Sequence, residues 1–328
     1  MDSLKIYSQS EIDSLIISRD GETKLGEKVD IYSHSESDSS SNAAISLNGL
    51  KKSDAKFVLL GIPEDIGVRA NAGLAGTSTA WRPALMAFLN IQSNRFLNGE
   101  EILVLGHFEI EEPEDSSIIA LRNKVAEIDD LVYPVIEIIV SAGKIPIVIG
   151  GGHNNAYPII KGTSLASRIA INVLNIDAHA DLREQEGRHS GNGFTFALAE
   201  NFIENYYMYG LHQSYNNEPI LNQIEKKSNL KAIFFDDILK GTDAVELSEL
   251  ARAGLEIDLD SIQNVLSSAE TPSGFSVNDI RKLILTNKRK FSYLHISEGA
   301  TRLLDGRVSK LTSKLIAYLV SDFAKAQF

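Results

Sequence analysis

The sequence predicts an α/β protein built on a parallel sheet of roughly eight strands, covered by helices on both faces. Two observations carry this. Short apolar, β-branched runs recur from Ala55 onward, and stretches with apolar residues at helical spacing separate several of them. Strands that alternate with helices pair in parallel, with the crossovers lying against the sheet. In order, the strand candidates are residues 57–62, 102–105, 145–149, 169–176, 206–210, 232–235, 255–259 and 293–296. The clearest helical stretches are 118–142, 277–285 and 311–323. Residues 1–54 read as an N-terminal extension. Within it, 11–17 predicts a short element docked on the main body, and 33–46 is a connector rich in Ser, Asp, Glu and Asn. Residues 55–328 read as the main domain. In such sheets the ligand site lies beyond the carboxyl ends of the strands.

The chain has 328 residues, is 43% hydrophobic and carries a formal net charge of −12. That length supports a sizeable core. The acidic balance argues against nucleic acid and against an anionic membrane surface as partners. There is no cysteine, which excludes disulfides, zinc–thiolate sites and a cysteine nucleophile, and fits a reducing compartment. The N-terminus lacks a basic region followed by an apolar one, and no apolar run approaches the roughly 20 residues of a membrane span. A soluble cytoplasmic protein is the expectation.

Three potential ligands alternate in Asp177-Ala-His179-Ala-Asp181, directly after an apolar run. In extended backbone, side chains two apart face the same way, so these three would converge at a strand end. Two other strand ends look alike. The run 145–149 leads into Gly150-Gly-Gly-His153, and Gly254-Leu-Glu-Ile-Asp258-Leu-Asp260 places two carboxylates on one face. Charge decides how many cations such a cluster holds: four carboxylates overload one divalent ion and balance two. Oxygen and imidazole donors without thiolate favour manganese, with iron, cobalt, nickel or zinc as competitors. A pair of ions about 3.5–4 Å apart would bridge a water and supply hydroxide near neutral pH.

These motifs, in this order and spacing, resemble the three metal motifs of the arginase (ureohydrolase) family, from roughly residue 57 to the C-terminus. Thr271-Pro-Ser-Gly-Phe275 is similar to a family turn, and Glu298 falls where the family has an active-site glutamate. The resemblance implies a three-layer α/β/α fold, two Mn2+ ions and hydrolysis of a guanidino or formimidoyl C–N bond. The metal ligands would be His153, Asp177, His179, Asp181, Asp258 and Asp260. Asp177 and Asp258 would bridge the ions, His153 and Asp181 would complete one, and His179 and Asp260 the other. By the same analogy Asp181 would pass a proton to the leaving amine.

Within the family, three details resemble formimidoylglutamases. They are Gly152 before the metal histidine, Asp181-Leu-Arg183, and Ser190-Gly-Asn192-Gly-Phe194. The implied substrate is N-formimidoyl-L-glutamate, cleaved to glutamate and formamide in histidine degradation. Arg183 would hold its carboxylate bidentately; the competing reading is a surface ion pair with Glu184 or Glu186. Agmatine or another guanidino compound is the alternative substrate, and a metal-binding protein without turnover is the alternative class. The expected partner is a small, carboxylate-bearing molecule, and the resemblance implies a homotrimer or hexamer.

The chain also departs from the family pattern. Gln263-Asn264 replaces an Asp-Pro, Gly299-Ala-Thr301 follows Glu298, and Asn154-Asn155 follows the metal histidine. His189 lies near the place of a proton-shuttling histidine in arginases and is a catalytic candidate. Ser190, Asn192 and His212 are candidates for substrate contact. His107 is a weaker one, His295 reads as a satisfied core imidazole, and His34 as solvated. The loop Asn71-Ala-Gly-Leu-Ala-Gly76 lacks the G-K-[ST] ending of a phosphate loop. With Arg69 and Trp81-Arg-Pro83 it fits a substrate-side loop. No Gly-x-Ser-x-Gly elbow supports serine-based hydrolysis.

Overall fold

Along the strand Phe57–Gly61, Phe57 and Leu59 enter one apolar cluster while Val58 and Leu60 enter another. A strand that buries both faces needs a layer on each side. The computed structural model describes residues 3–32, 47–241, 253–287 and 290–327. The Ser-rich connector, His34 included, lies outside these.

The described elements run β1 (Leu4–Ile6), α1 (Gln9–Asp13), β2 (Asp30–Ile31), β3 (Phe57–Gly61), α2 (Ile66–Ala70), α3 (Trp81–Leu89), β4 (Ile102–Phe108), α4 (Ile118–Ser141), β5 (Ile145–Ile149), α5 (Ala156–Ser167) and β6 (Ile171–Ile176). They continue α6 (Gly193–Ala199), β7 (Ile203–Leu211), α7 (Glu218–Lys226), β8 (Leu230–Phe234), α8 (Phe235–Lys240), β9 (Gly254–Asp258), α9 (Val277–Thr286), β10 (Tyr293–Ser297) and α10 (Leu311–Ala326). The sheet order is β1-β4-β3-β5-β10-β9-β6-β7-β8, with β2 also on β4. The pairings between these strands are parallel except that of β1 with β4.

Helices α3, α9 and α10 cover one face through Trp81, Leu85, Phe88, Ile280, Ile284, Leu319 and Phe323. Helices α4 and α5 cover the other through Val125, Ile128, Ile136, Ile159 and Ile160. This is the three-layer α/β/α arrangement. Each fully buried Leu, Ile or Phe contributes roughly 1.5–3 kcal/mol. Local signals agree at the helix starts: Ser117 caps α4 by accepting from the Ala120 N–H at 3.3 Å, and Ser276 with Asp279 forms a capping box on α9.

The N-terminal segment adds β1 and β2 to the edge strand β4. Tyr7 follows β1 and accepts a hydrogen bond from Trp81 Nε1 at 3.0 Å. Element edges shift from the sequence reading in places. The strand expected from 169 begins at Ile171, that at 206 begins at Ile203, and Phe235 and Leu259 leave their strands for helical turns. Among the described residues no helix is long and apolar enough to cross a membrane.

Candidate metal centre

The central strands β5, β10, β9 and β6 are neighbours, so their carboxyl ends open on one region. After β5 the chain turns through Gly150 (φ 92°) and Gly151 (φ 79°), a left-handed pair that other residues adopt at a cost. Gly152 has a different reason. A Cβ there would meet Asn154 Oδ1 at 2.6 Å and Val68 Cγ2 at 2.9 Å, so any side chain before His153 would require Asn154 and Val68 to shift. The buried Glu64 fastens the turn, accepting from the N–H groups of Gly152 (2.9 Å) and Gly67 (3.0 Å) and from the amides of Asn155 (2.7 Å) and Asn154 (3.2 Å). Asn154 and Asn155 thus spend their amides on Glu64 and are fully buried.

The second motif corrects an expectation. Strand β6 ends at Ile176, and Asp177–Asp181 is not extended. The His179 N–H donates to Asp177 Oδ1 at 2.7 Å, the Ala180 N–H donates to Asn216 Oδ1 at 2.9 Å, and Asp181 takes φ 51°. Side-chain hydrogen bonds to the main chain, rather than strand alternation, aim these ligands. The third motif behaves likewise. Asp258 closes β9, and Asp260 lies in a short helical turn, donating its N–H to Asp258 Oδ1 at 2.9 Å. Downstream, Asn264 adopts φ 60° and donates its N–H to Thr271 O at 2.8 Å. Proline has neither that φ nor an N–H, so the loss of the family's Asp-Pro belongs to this turn.

The six expected ligands meet. His153 Nδ1 lies 3.0 Å from Asp181 Oδ2, 3.1 Å from Asp258 Oδ2 and 3.2 Å from Asp177 Oδ2. His179 Nδ1 lies 3.2 Å from Asp260 Oδ2 and 3.6 Å from Asp177 Oδ1. Asp177 therefore belongs to both groups, one with His153, Asp181 and Asp258, the other with His179 and Asp260. Three carboxylate oxygens around one imidazole nitrogen exceed what its single proton can satisfy. Both ring nitrogens of His153 and Oδ1 of Asp260 are buried without a hydrogen-bond partner. Burial drives Asp258 well above the ordinary carboxylate range, with Asp260 and Asp177 adding repulsion. Burial also raises Asp260 to about 6, against the pull of His179. Cations between these groups answer all three observations, and the oxygen–imidazole donor set suits two hard-to-borderline divalent ions.

A polar row underlies the cluster. Neighbouring strands pair Asn175 of β6 and His295 of β10 with Glu256 of β9, and all three side chains are fully buried. Glu256 lies 2.6 Å from His295 Nδ1, accepts from Tyr293 OH at 2.7 Å and stands 3.5 Å from His153 Nε2. Burial opposes its charge, yet His295 and His153 hold it down to about 2. Asn175 donates to Asp177 Oδ2 at 2.9 Å and to Tyr206 OH at 2.8 Å. The sequence reading missed Glu256 and Asn175. Their signal was a polar residue two places before each ligand, inside an apolar run.

A cavity of about 390 Å³ opens onto the cluster, lined by His179, Asp181, Asp258 and Asp260, and also by Arg183, Ser190, Tyr215, Ser268 and Glu298. Glu298 accepts from the His153 N–H at 2.9 Å and from Ser268 Oγ at 3.2 Å, and burial raises it to about 8. Arg183 donates to Asn71 Oδ1 at 2.6 Å and pairs with Glu186 at 3.3 Å. The ion pair weighed against its substrate role therefore exists, while the side chain stays about half exposed on the cavity wall.

Three candidates do not reach this wall. His189 is fully buried; the Gly191 N–H donates to its Nδ1 at 3.1 Å, and burial lowers it to about 4. Asn192 is consumed by loop bonds, donating to Glu184 O and Gly187 O and accepting from Arg188 Nη1. His212 stacks between other rings, 5.0 Å from Tyr215 and 4.9 Å from Phe235. None of the three lines the cavity, so their placement lends no support to proton shuttling by His189 or to substrate contact by Asn192 and His212. His107 packs against Tyr7 and Trp81, away from the cavity. Tyr215, which stacks on His179 at 5.3 Å, and Ser268 are wall residues that the sequence did not flag.

With this fold and this cluster, the chain belongs to the arginase family, whose family model matches residues 55–315. It is a hydrolase acting on C–N bonds of linear amidines. It is similar to the formimidoylglutamase of Streptococcus pyogenes serotype M3, 30% identical over 295 residues, covering 82% of this chain and 85% of that protein. It is also similar to that of Macrococcus caseolyticus, 27% identical over 273 residues, covering 80% and 83%. Among solved structures, Trypanosoma cruzi formiminoglutamase with Mn2+ superposes with a TM-score of 0.70 at 17% identity, over 93% of this chain and 98% of that one. The agmatine ureohydrolase of Thermoplasma volcanium gives 0.65 at 22% identity, over 85% and 92%.

Proposed function

We propose that this chain hydrolyses N-formimidoyl-L-glutamate to L-glutamate and formamide, using two Mn2+ ions held by His153, Asp177, His179, Asp181, Asp258 and Asp260. The relatives named formimidoylglutamase support the reaction. The observation that carries the substrate class is Arg183, a guanidinium on the wall of the cavity that also exposes four of the six ligands. Two divalent ions bound there would supply hydroxide near neutral pH by lowering the pKa of a water. Asp181 takes the proton of the attacking water and gives it to the leaving nitrogen, which becomes the glutamate amine. Glu298, fixed by the His153 N–H and Ser268, offers a hydrogen-bond partner to the amidine. Arg183 binds a glutamate carboxylate and so holds the formimidoyl carbon over the ligands. A cationic amine tail, as in agmatine, meets repulsion from the same guanidinium.

The test is a turnover assay with Mn2+ and a panel of amidines and guanidines. Formamide released from N-formimidoyl-L-glutamate is the expected product. Urea from agmatine or a guanidino acid instead would overturn the substrate. No product from any substrate, with two ions bound, would leave a binding protein without turnover.

A further inference from the structure

The loop between Asp181 and Asn192 carries a carboxylate that the proposed reaction does not use. Glu186 Oε1 lies 3.3 Å from Arg183 Nη2 and 3.4 Å from His189 Nε2, and its Oε2 lies 3.5 Å from Arg122 Nη2. Two of these three partners are fixed. Arg122 also donates through Nη1 to the main-chain oxygen of Glu186 at 2.6 Å. His189 is fully buried, and its Nδ1 accepts the Gly191 N–H at 3.1 Å. In the neutral ring the proton therefore sits on Nε2, the atom that faces Glu186. Arg183 is the exposed member: it is about half exposed and lines the cavity, and the other described polar partner of its guanidinium is the neutral side chain of Asn71.

We infer that Glu186 is a resident competitor for Arg183. Its carboxylate occupies the guanidinium edge that an incoming substrate carboxylate takes, and on that exchange Glu186 keeps Arg122 and His189. This rests on the reading of Arg183 as a carboxylate clamp. It gives the buried His189 a role in setting carboxylate affinity, as a support for the competitor rather than a proton shuttle. A ligand without a carboxylate does not exchange with Glu186, so the device lowers affinity for anions at Arg183 and leaves other ligands unaffected.

The experiment uses the full chain loaded with Mn2+, with L-glutamate as the binding probe and N-formimidoyl-L-glutamate as substrate. Glu186→Gln and Glu186→Ala are each expected to tighten glutamate about two- to fivefold, the scale of a partly exposed ion pair. The same change is expected to appear in KM rather than in kcat, and formamidine, which lacks a carboxylate, is expected to bind unchanged. Unchanged glutamate affinity in both variants would overturn the inference. So would weakened affinity, which would make Glu186 an aid to Arg183 instead. Arg183→Ala, run alongside, separates the two failures. If it leaves glutamate binding intact, the clamp itself is wrong; if it weakens binding while the Glu186 variants do not tighten it, only the competitor is wrong.

Discussion

His153 and Glu256 face each other across the floor of the site, with Nε2 of the one 3.5 Å from Oε2 of the other. One imidazole thereby joins the ligand cluster to the sheet interior. With its ring proton on Nε2, toward Glu256, His153 would present a bare Nδ1 to an ion beside Asp177, Asp181 and Asp258. Glu256→Gln should lower affinity for the ion at His153 about 10–100-fold while the fold persists. Titration calorimetry with Mn2+ checks this, and equal affinity in variant and parent would refute it.

Arg183→Ala removes the clamp without touching a ligand. A charge-assisted hydrogen bond contributes roughly 1.5–3 kcal/mol, so KM for an acidic substrate should rise about 10–100-fold. Metal content should stay unchanged. Steady-state kinetics beside elemental analysis decide it, and an unchanged KM would remove Arg183 from the binding site.

Burial raises Glu298 from 4.5 to about 8 and Asp260 from 3.8 to about 6. A carboxyl whose folded pKa is raised binds more protons folded than unfolded, so its contribution to stability falls as pH rises through that window. Metal-free protein should therefore lose Tm between about pH 4 and pH 8 on account of these groups. Bound cations take over the charge, so the Tm gain from Mn2+ should grow over the same range. Scanning calorimetry with and without the metal tests the sign; a gain that shrinks with pH would contradict it.

Arg188 forks onto Asp129 at 2.7 and 3.2 Å, donates to Asn154 O at 3.0 Å and lies over the Tyr157 ring at 4.7 Å. It ties the loop that carries Arg183 to the loop that carries His153. Arg188→Ala strands a buried carboxylate and should cost about 3–5 kcal/mol in urea unfolding. A loss below about 1 kcal/mol would show that the pair is dispensable.

The fold was legible because each central strand is a mostly apolar run. The candidate ligands were legible because metal chemistry restricts residue types at strand ends. What escaped follows from backbone and burial. Asp181 and Glu298 reach the site from φ near 51° and 60°, which strand alternation does not anticipate. His189, Asn192 and His212 carry the polar groups of pocket residues, but loop hydrogen bonds and ring stacking take them out of reach. Glu256 and Asn175 lay hidden among apolar neighbours, although their spacing from Asp258 and Asp177 was there to read.

A two-ion site shared through Asp177 is the core of the proposed chemistry. Anomalous diffraction from crystals soaked in Mn2+ tests it most directly. Two peaks about 3.5–4 Å apart are expected, one among His153, Asp177, Asp181 and Asp258, the other beside Asp177, His179 and Asp260. A single peak, or none at these side chains, would contradict it.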